Sequence, residues 1–171
     1  MIQVTVNHRG RWYTIYKQDW GQDCGPTCIA IAKKFITGIG SDIDWLRHHT
    51  KAKLVSPGIQ AKIENLGLQS RDTGTNISAL PSLARSIGLS AESKYYLPAT
   101  LLDKLKTSSH GRVFICHVGW DLGGGHFVVI PYVDPNNEVV VLDPYYELKT
   151  TNNFPRYDGG NFSGHVVEIT R

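Results

Sequence analysis

Residues 18–38 read Q-D-W-G-Q-D-C-G-P-T-C-I-A-I-A-K-K-F-I-T-G, and the rest of the chain is best understood around them. A Gly-Pro step follows Cys24, after which Ile29, Ile31, Ala32, Phe35 and Ile36 form an apolar segment closed by Gly38. The pattern predicts a buried helix with a thiol at its N-terminus. Pro26 suits the first helical turn, where an N–H would have no intrahelical partner, and Gly38 suits a left-handed C-terminal cap. Free backbone N–H groups and the aligned peptide dipoles at a helix start stabilise a thiolate, the attacking species in cysteine chemistry. A base and an orienting acceptor elsewhere in the chain would turn this helix start into a nucleophile site.

Working outward, the segments on the C-terminal side of this helix stay helical for some distance. Ser41 and Asp44 resemble a capping box for a short helix with Ile43, Trp45 and Leu46. A second helix is expected from Ser56-Pro57 through Ile59, Ile63 and Leu66 to Gly67, and a third over about 77–87, where Ile77, Leu80, Leu83, Ala84 and Ile87 make an apolar stripe. Residues 89–96 look extended, and a short helix around Leu101, Leu102 and Leu105 follows Pro98. Then the period changes to that of strands: 112–118, 126–133, 138–143 and 165–169 are β-branched runs separated by turn residues. Residues 149–164 read as a long polar and aromatic loop. On the N-terminal side, Ile2, Val4 and Val6 alternate with polar neighbours, and R-W-Y-T-I-Y at 11–16 follows H-R-G, which suggests a hairpin or extended arm. The expected fold class is α+β in a single domain over 1–171. It comprises an N-terminal arm at 1–17, a mainly helical part at 18–110 and a mostly antiparallel sheet over 111–171.

Composition fits that expectation. The 171 residues are 41% hydrophobic and 19% charged, which is globular rather than disordered, and the length suits one core. A net charge of +3 is spread thinly with no basic stripe, so no nucleic-acid partner is expected. Three cysteines, Cys24, Cys28 and Cys116, without a C-x-x-C spacing argue against both a disulfide framework and a cysteine-rich metal site. No metal or organic cofactor is implied. No basic segment with an apolar run opens the chain as a signal peptide would, and no membrane-length apolar segment occurs. The expected location is cytoplasmic, or delivered as part of a larger secreted effector.

Of seven histidines, His126 stands out because it follows Gly123-Gly124-Gly125 and opens a strand. Asp143 ends the next strand just before Pro144. If 126–133 and 138–143 pair as a hairpin through the Asp134–Asn137 turn, the start of one strand lies beside the end of the other. A cysteine nucleophile needs such an imidazole to carry its proton and such a carboxylate to hold the imidazole. Acyl transfer also needs an oxyanion donor, and Gln18 and Gln22, both ahead of Cys24, are the candidates. His117 is a rival base, though its place inside V-F-I-C-H-V favours a wall or core histidine. Trp12, Trp20, Trp45 and Trp120 are expected in the core, with Trp20 near enough to the cysteine to line a groove.

The set Q-x5-C-G-P-T-C, G-H-F-V-V-I and V-L-D-P resembles the papain-like cysteine peptidases that remove double-glycine leader peptides from bacteriocins. I-S-A-L-P-S-L-A-R-S-I-G-L is similar to that family's middle helix, and V-F-I-C-H-V to the strand before its histidine strand. The resemblance spans most of 18–169 and implies a papain-like fold with Cys24 as nucleophile, His126 as base and acid, Asp143 as orienting acceptor and Gln18 as oxyanion donor. Gln18 is preferred to Gln22 because the family's glutamine stands six positions before its cysteine. It implies a peptide or protein substrate. Related domains without a transporter act as deamidases, acyltransferases or delivered toxins, and a toxin would bring a cognate immunity or inhibitor protein as partner. Outside the enzyme class, the same fold would serve as a peptide-binding module.

Overall fold

The computed structural model describes residues 2–18, 24–42, 45–46 and 77–171. The helix expected over 56–67 lies outside them, as do Trp20 and Gln22.

The N-terminal arm is a hairpin of β1 (Gln3–His8) and β2 (Arg11–Tyr16). Arg9 and Gly10 fill its two-residue turn with φ of 51° and 81°, the left-handed pair that matches the twist of the flanking strands. Helix α1 (Cys24–Thr37) follows, ending at Gly38 with φ of 73°. The Gly38 N–H donates to the Lys34 carbonyl, and the Lys34 ammonium returns a bond to the Gly38 carbonyl. At the next helical turn the capping residue is Asp42 rather than the expected Ser41. Its carboxylate accepts from the Trp45 N–H at 3.0 Å, three residues on, where a side-chain cap reaches the first free donors.

A 3-10 turn (Ile77–Ala79) leads into α2 (Leu80–Ser86), then β3 (Ser90–Tyr95) and α3 (Pro98–Leu105). The remaining strands are β4 (Arg112–Trp120), β5 (Gly125–Val133), β6 (Val139–Asp143), β7 (Glu147–Thr151), β8 (Arg156–Tyr157) and β9 (Gly160–Thr170). Together with β3 they form one antiparallel sheet in the order β3-β9-β4-β5-β6-β7, with β8 paired to β9. This is the α+β arrangement expected, with helices packed on a mostly antiparallel sheet whose strands, β3 apart, come from residues 112–170.

The stretch 149–164, read as a loop, is mostly strand. β7 runs to Thr151, a β8–β9 hairpin follows, and β9 begins at Gly160 rather than near His165. Asp158 and Gly159 form the turn with φ of 44° and 88°, so their Asp-Gly pair was a hairpin signal inside the supposed loop. The polar look of the region has a physical origin. Cys116 and Val118 of β4 pair with Val166 and Phe162 of β9, so residues 163–165 bulge opposite the single residue His117.

Each face of the sheet carries a core. Val113, Ile115, Phe127, Val129, Val140 and Leu142 pack with α1, α2 and β2. Phe114, Cys116, Val118, Val128, Ile130, Val139 and Val141 pack with α3, Tyr157 and Phe162. Two tryptophans depart from the core expectation: Trp12 is 68% exposed on the hairpin, and Trp45 also faces solvent. No described helix is long and apolar enough to cross a membrane.

Candidate active site

The site begins with a phase error in the sheet. Val133 pairs with Val139 and Tyr132 with Val140, but Val129 pairs with Leu142. Ile130 and Pro131 therefore stand opposite Val141 alone, a bulge where proline's missing N–H costs no ladder bond. Because side chains alternate faces, the extra residue changes which ones share a side. It sets Asp143 opposite Val128, and His126, two residues along β5, falls diagonally beside it on the same face. An unbroken ladder would have set Asp143 opposite Val129 instead and turned it to the α1 face.

His126 Nε2 lies 2.7 Å from Asp143 Oδ1, both side chains almost wholly buried. The imidazole interacts with the Cys24 thiol as well, so one ring connects the start of α1 to the end of β6. The carboxylate is held on both oxygens. Oδ1 also accepts from the Tyr145 N–H at 2.7 Å and the Tyr146 N–H at 3.2 Å, in the turn that Pro144 begins. Oδ2 accepts from the Tyr157 hydroxyl. Trp120 stacks on His126, its ring centre 5.7 Å away and tilted by 19°, and also stacks with Tyr157 at 6.4 Å.

Electrostatics follow from this arrangement. Burial opposes a charge on His126, but the bond to Asp143 and the Cys24 sulfur outweigh it and push its pKa up to about 9. Burial likewise opposes ionisation of Asp143. His126, the Tyr157 hydroxyl and the Tyr145 N–H win, and the carboxyl sits below its usual range. Tyr157 is driven upward, first by burial and then by the neighbouring carboxylate, so its phenol keeps its proton as a donor.

The other candidates separate from this cluster. His117 Nδ1 partners Ser163 Oγ at 2.8 Å, its ring meets Phe127 edge-on, and burial, then His165 and His126, favour its neutral form. Gly125 leaves room for its ring, because a Cβ there would lie 2.2 Å from His117 Nε2 and the ring would have to shift. Cys28, one turn into α1, is fully buried, and burial followed by the negative charge of its neighbours pushes its thiol up. Cys116 is buried and raised by burial too. Gln18 is tied to the site through its backbone, the N–H donating to the Pro144 carbonyl at 2.9 Å.

Sequence reasoning missed two residues of this cluster. Trp120 was assigned to the core, yet it is half-buried over the imidazole, and its position at the end of β4 beside the triple-glycine turn was the available signal. Tyr157 was hidden in the supposed loop, one residue before the Asp-Gly turn.

No curated protein matches the chain. Among solved structures, the Pseudomonas avirulence protein AvrPphB is similar at 12% identity with a TM-score of 0.44, the alignment covering 93% of this chain and 98% of that one. The Peptidase C39 family matches residues 12–157, which run from within β2 through the candidate thiol, imidazole and carboxylate to Tyr157. The chain belongs to the Peptidase C39 family of cysteine peptidases.

Proposed function

We propose that the protein cleaves a peptide or protein substrate with Cys24 as nucleophile, His126 as general base and acid, Asp143 as the acceptor that orients the imidazole, and Gln18 as an oxyanion donor. The observation that carries the reading is the single His126 ring, which bonds to Asp143 and interacts with a thiol at a helix N-terminus. With its pKa pushed up to about 9, His126 favours the imidazolium form, the partner that thiol chemistry uses for its nucleophile. The thiolate attacks the scissile carbonyl, and the oxyanion is met by the Cys24 N–H and the Gln18 amide. Imidazolium then gives its proton to the leaving amine, and the acyl-enzyme is hydrolysed by water that His126 deprotonates. Trp120 stacks on the ring that carries the proton. The family resemblance makes a Gly-Gly bond the first substrate to try.

Iodoacetamide labelling followed by intact-mass measurement tests the nucleophile. At neutral pH one adduct is expected, on Cys24. It should be lost in Cys24→Ala, slowed by about 10-fold or more in His126→Ala, and unchanged in Cys28→Ala. Slow, non-selective labelling of all three cysteines would overturn the reading. Mass spectrometry of peptides carrying an internal Gly-Gly then reads the reaction. A cut chain supports hydrolysis of the peptide bond, while a 1 Da gain or an added group would reassign the thiol to deamidation or acyl transfer.

A further inference from the structure

We propose that Tyr157 is a positioning residue for the site, its hydroxyl fixing the Asp143 carboxylate and through it the ionisation of the His126 and Cys24 pair. The inference rests on the thiol-peptidase reading and adds a fourth side chain to its machinery.

The geometry is specific. Asp143 has no exposed surface, so each carboxylate oxygen must find its donors within the protein. Oδ1 takes three, from His126 Nε2 and the Tyr145 and Tyr146 backbone N–H groups. Among the described residues, Oδ2 takes the Tyr157 hydroxyl. Backbone donors stay with the turn whatever side chains it carries, whereas the donor on Oδ2 depends on one residue brought from another hairpin. Tyr157 is 2% exposed and stands just before the Asp158-Gly159 turn, and Trp120 stacks with both its ring and the imidazole. Further out, Arg156 reaches from β8 to both oxygens of Asp121 on the β4–β5 turn at 2.9 and 2.8 Å, so the hairpin is tied down next to the site.

The sign of the effect follows from the direction of the bond. An O–H donor stabilises the ionised carboxylate, so its loss raises the proton affinity of Asp143 and makes the local potential more negative. Protonation of the thiolate then becomes easier as well. Both effects move the acid limb of Cys24 reactivity to higher pH. A hydrogen bond to a charged group is worth roughly enough to shift that limb by about one pH unit.

The test is the rate of iodoacetamide labelling of Cys24 in the full chain as a function of pH, which needs no substrate. In Tyr157→Phe the acid limb should rise by about one unit, and in an Asp143→Asn background the same change should move it no further. With 3,5-difluorotyrosine at 157, a more acidic phenol of nearly the same shape, the limb should move to lower pH. This second variant keeps the ring and the fold if the phenylalanine variant proves unstable. Limbs that stay in place in both variants, or that shift equally with and without the Asp143 carboxylate, would overturn the proposal and leave Tyr157 a packing residue. A wild-type profile that follows an ordinary free thiol, with no acid-limb plateau, would instead defeat the thiol-peptidase reading itself.

Discussion

At the scale of single residues, placement separates chemistry from packing among chemically equal groups. Cys24 and Cys28 lie one turn apart on α1, yet one meets an imidazole and the other is wholly buried, with burial pushing its thiol up. The same distinction has a thermodynamic consequence for His126 and Asp143. His126 has its folded pKa raised to about 9, so its contribution to stability is fully present below the ordinary histidine value and is lost as pH rises through about 9. Asp143 has its folded pKa lowered, so its contribution is present above the ordinary carboxylate value and lost as pH falls through the depressed one. Both contributions are complete between about pH 4 and 6.5. Urea midpoints should therefore fall from pH 6.5 to pH 10, and the fall should be much smaller in His126→Gln. An equally steep fall in that variant would mean that other groups, lysines or tyrosines, carry the alkaline loss.

At the scale of elements, the bulge in β5 decides whether a carboxylate ever meets the imidazole. The β5–β6 hairpin and its turn were legible in the sequence, because strand-forming runs flanking D-P-N-N are a local signal. The face of Asp143 was not, since a bulge depends on how the apolar residues of β4, β5 and β6 fill two cores at once. Ile130 and Val141 join the α3 side while Tyr132 and Val140 join the α1 side, and only an extra residue satisfies both. The β8–β9 hairpin was legible in principle from Asp158-Gly159, but the polar bulge at 163–165 masked the strand that follows. Position 131 therefore carries a paired prediction. Pro131→Val keeps the residue count and should leave Cys24 labelling within about twofold of wild type, because the bulge is set by number rather than by proline. Excising Pro131 should reduce labelling to the level of Asp143→Ala while the far-UV circular dichroism of the sheet remains. Wild-type labelling after excision would show that the strands can re-register and that the bulge is dispensable.

At the scale of the whole molecule, the N-terminal hairpin runs along β6 and fixes both of its ends. At the tip, Arg9 bridges Asp134 at 2.8 Å and Glu138 at 3.2 Å, His8 meets Glu138 at 3.2 Å, and the Arg11 guanidinium lies 3.8 Å from the centre of the Tyr132 ring. At the exit, Lys17 reaches Glu147 at 3.0 Å and the Gln18 N–H binds Pro144 next to Asp143. Two kinds of interaction could seat it, this set of ion pairs or the apolar face of β2, where Tyr13, Ile15 and Tyr16 are buried against α1 and the sheet. Magnitudes favour the apolar face. A partly exposed ion pair is worth about 0–1 kcal/mol, whereas truncating a fully buried isoleucine to alanine removes about 2–5 kcal/mol. Arg9 is 61% exposed and Ile15 is wholly buried, so Ile15→Ala should shift the urea midpoint several times further than Arg9→Ala. The Arg9 effect should also shrink in 1 M salt, while the Ile15 effect should not. Equal losses in the two variants, or an Ile15 loss that salt abolishes, would mean that charge rather than buried area anchors the strap on which Gln18 is carried to the site.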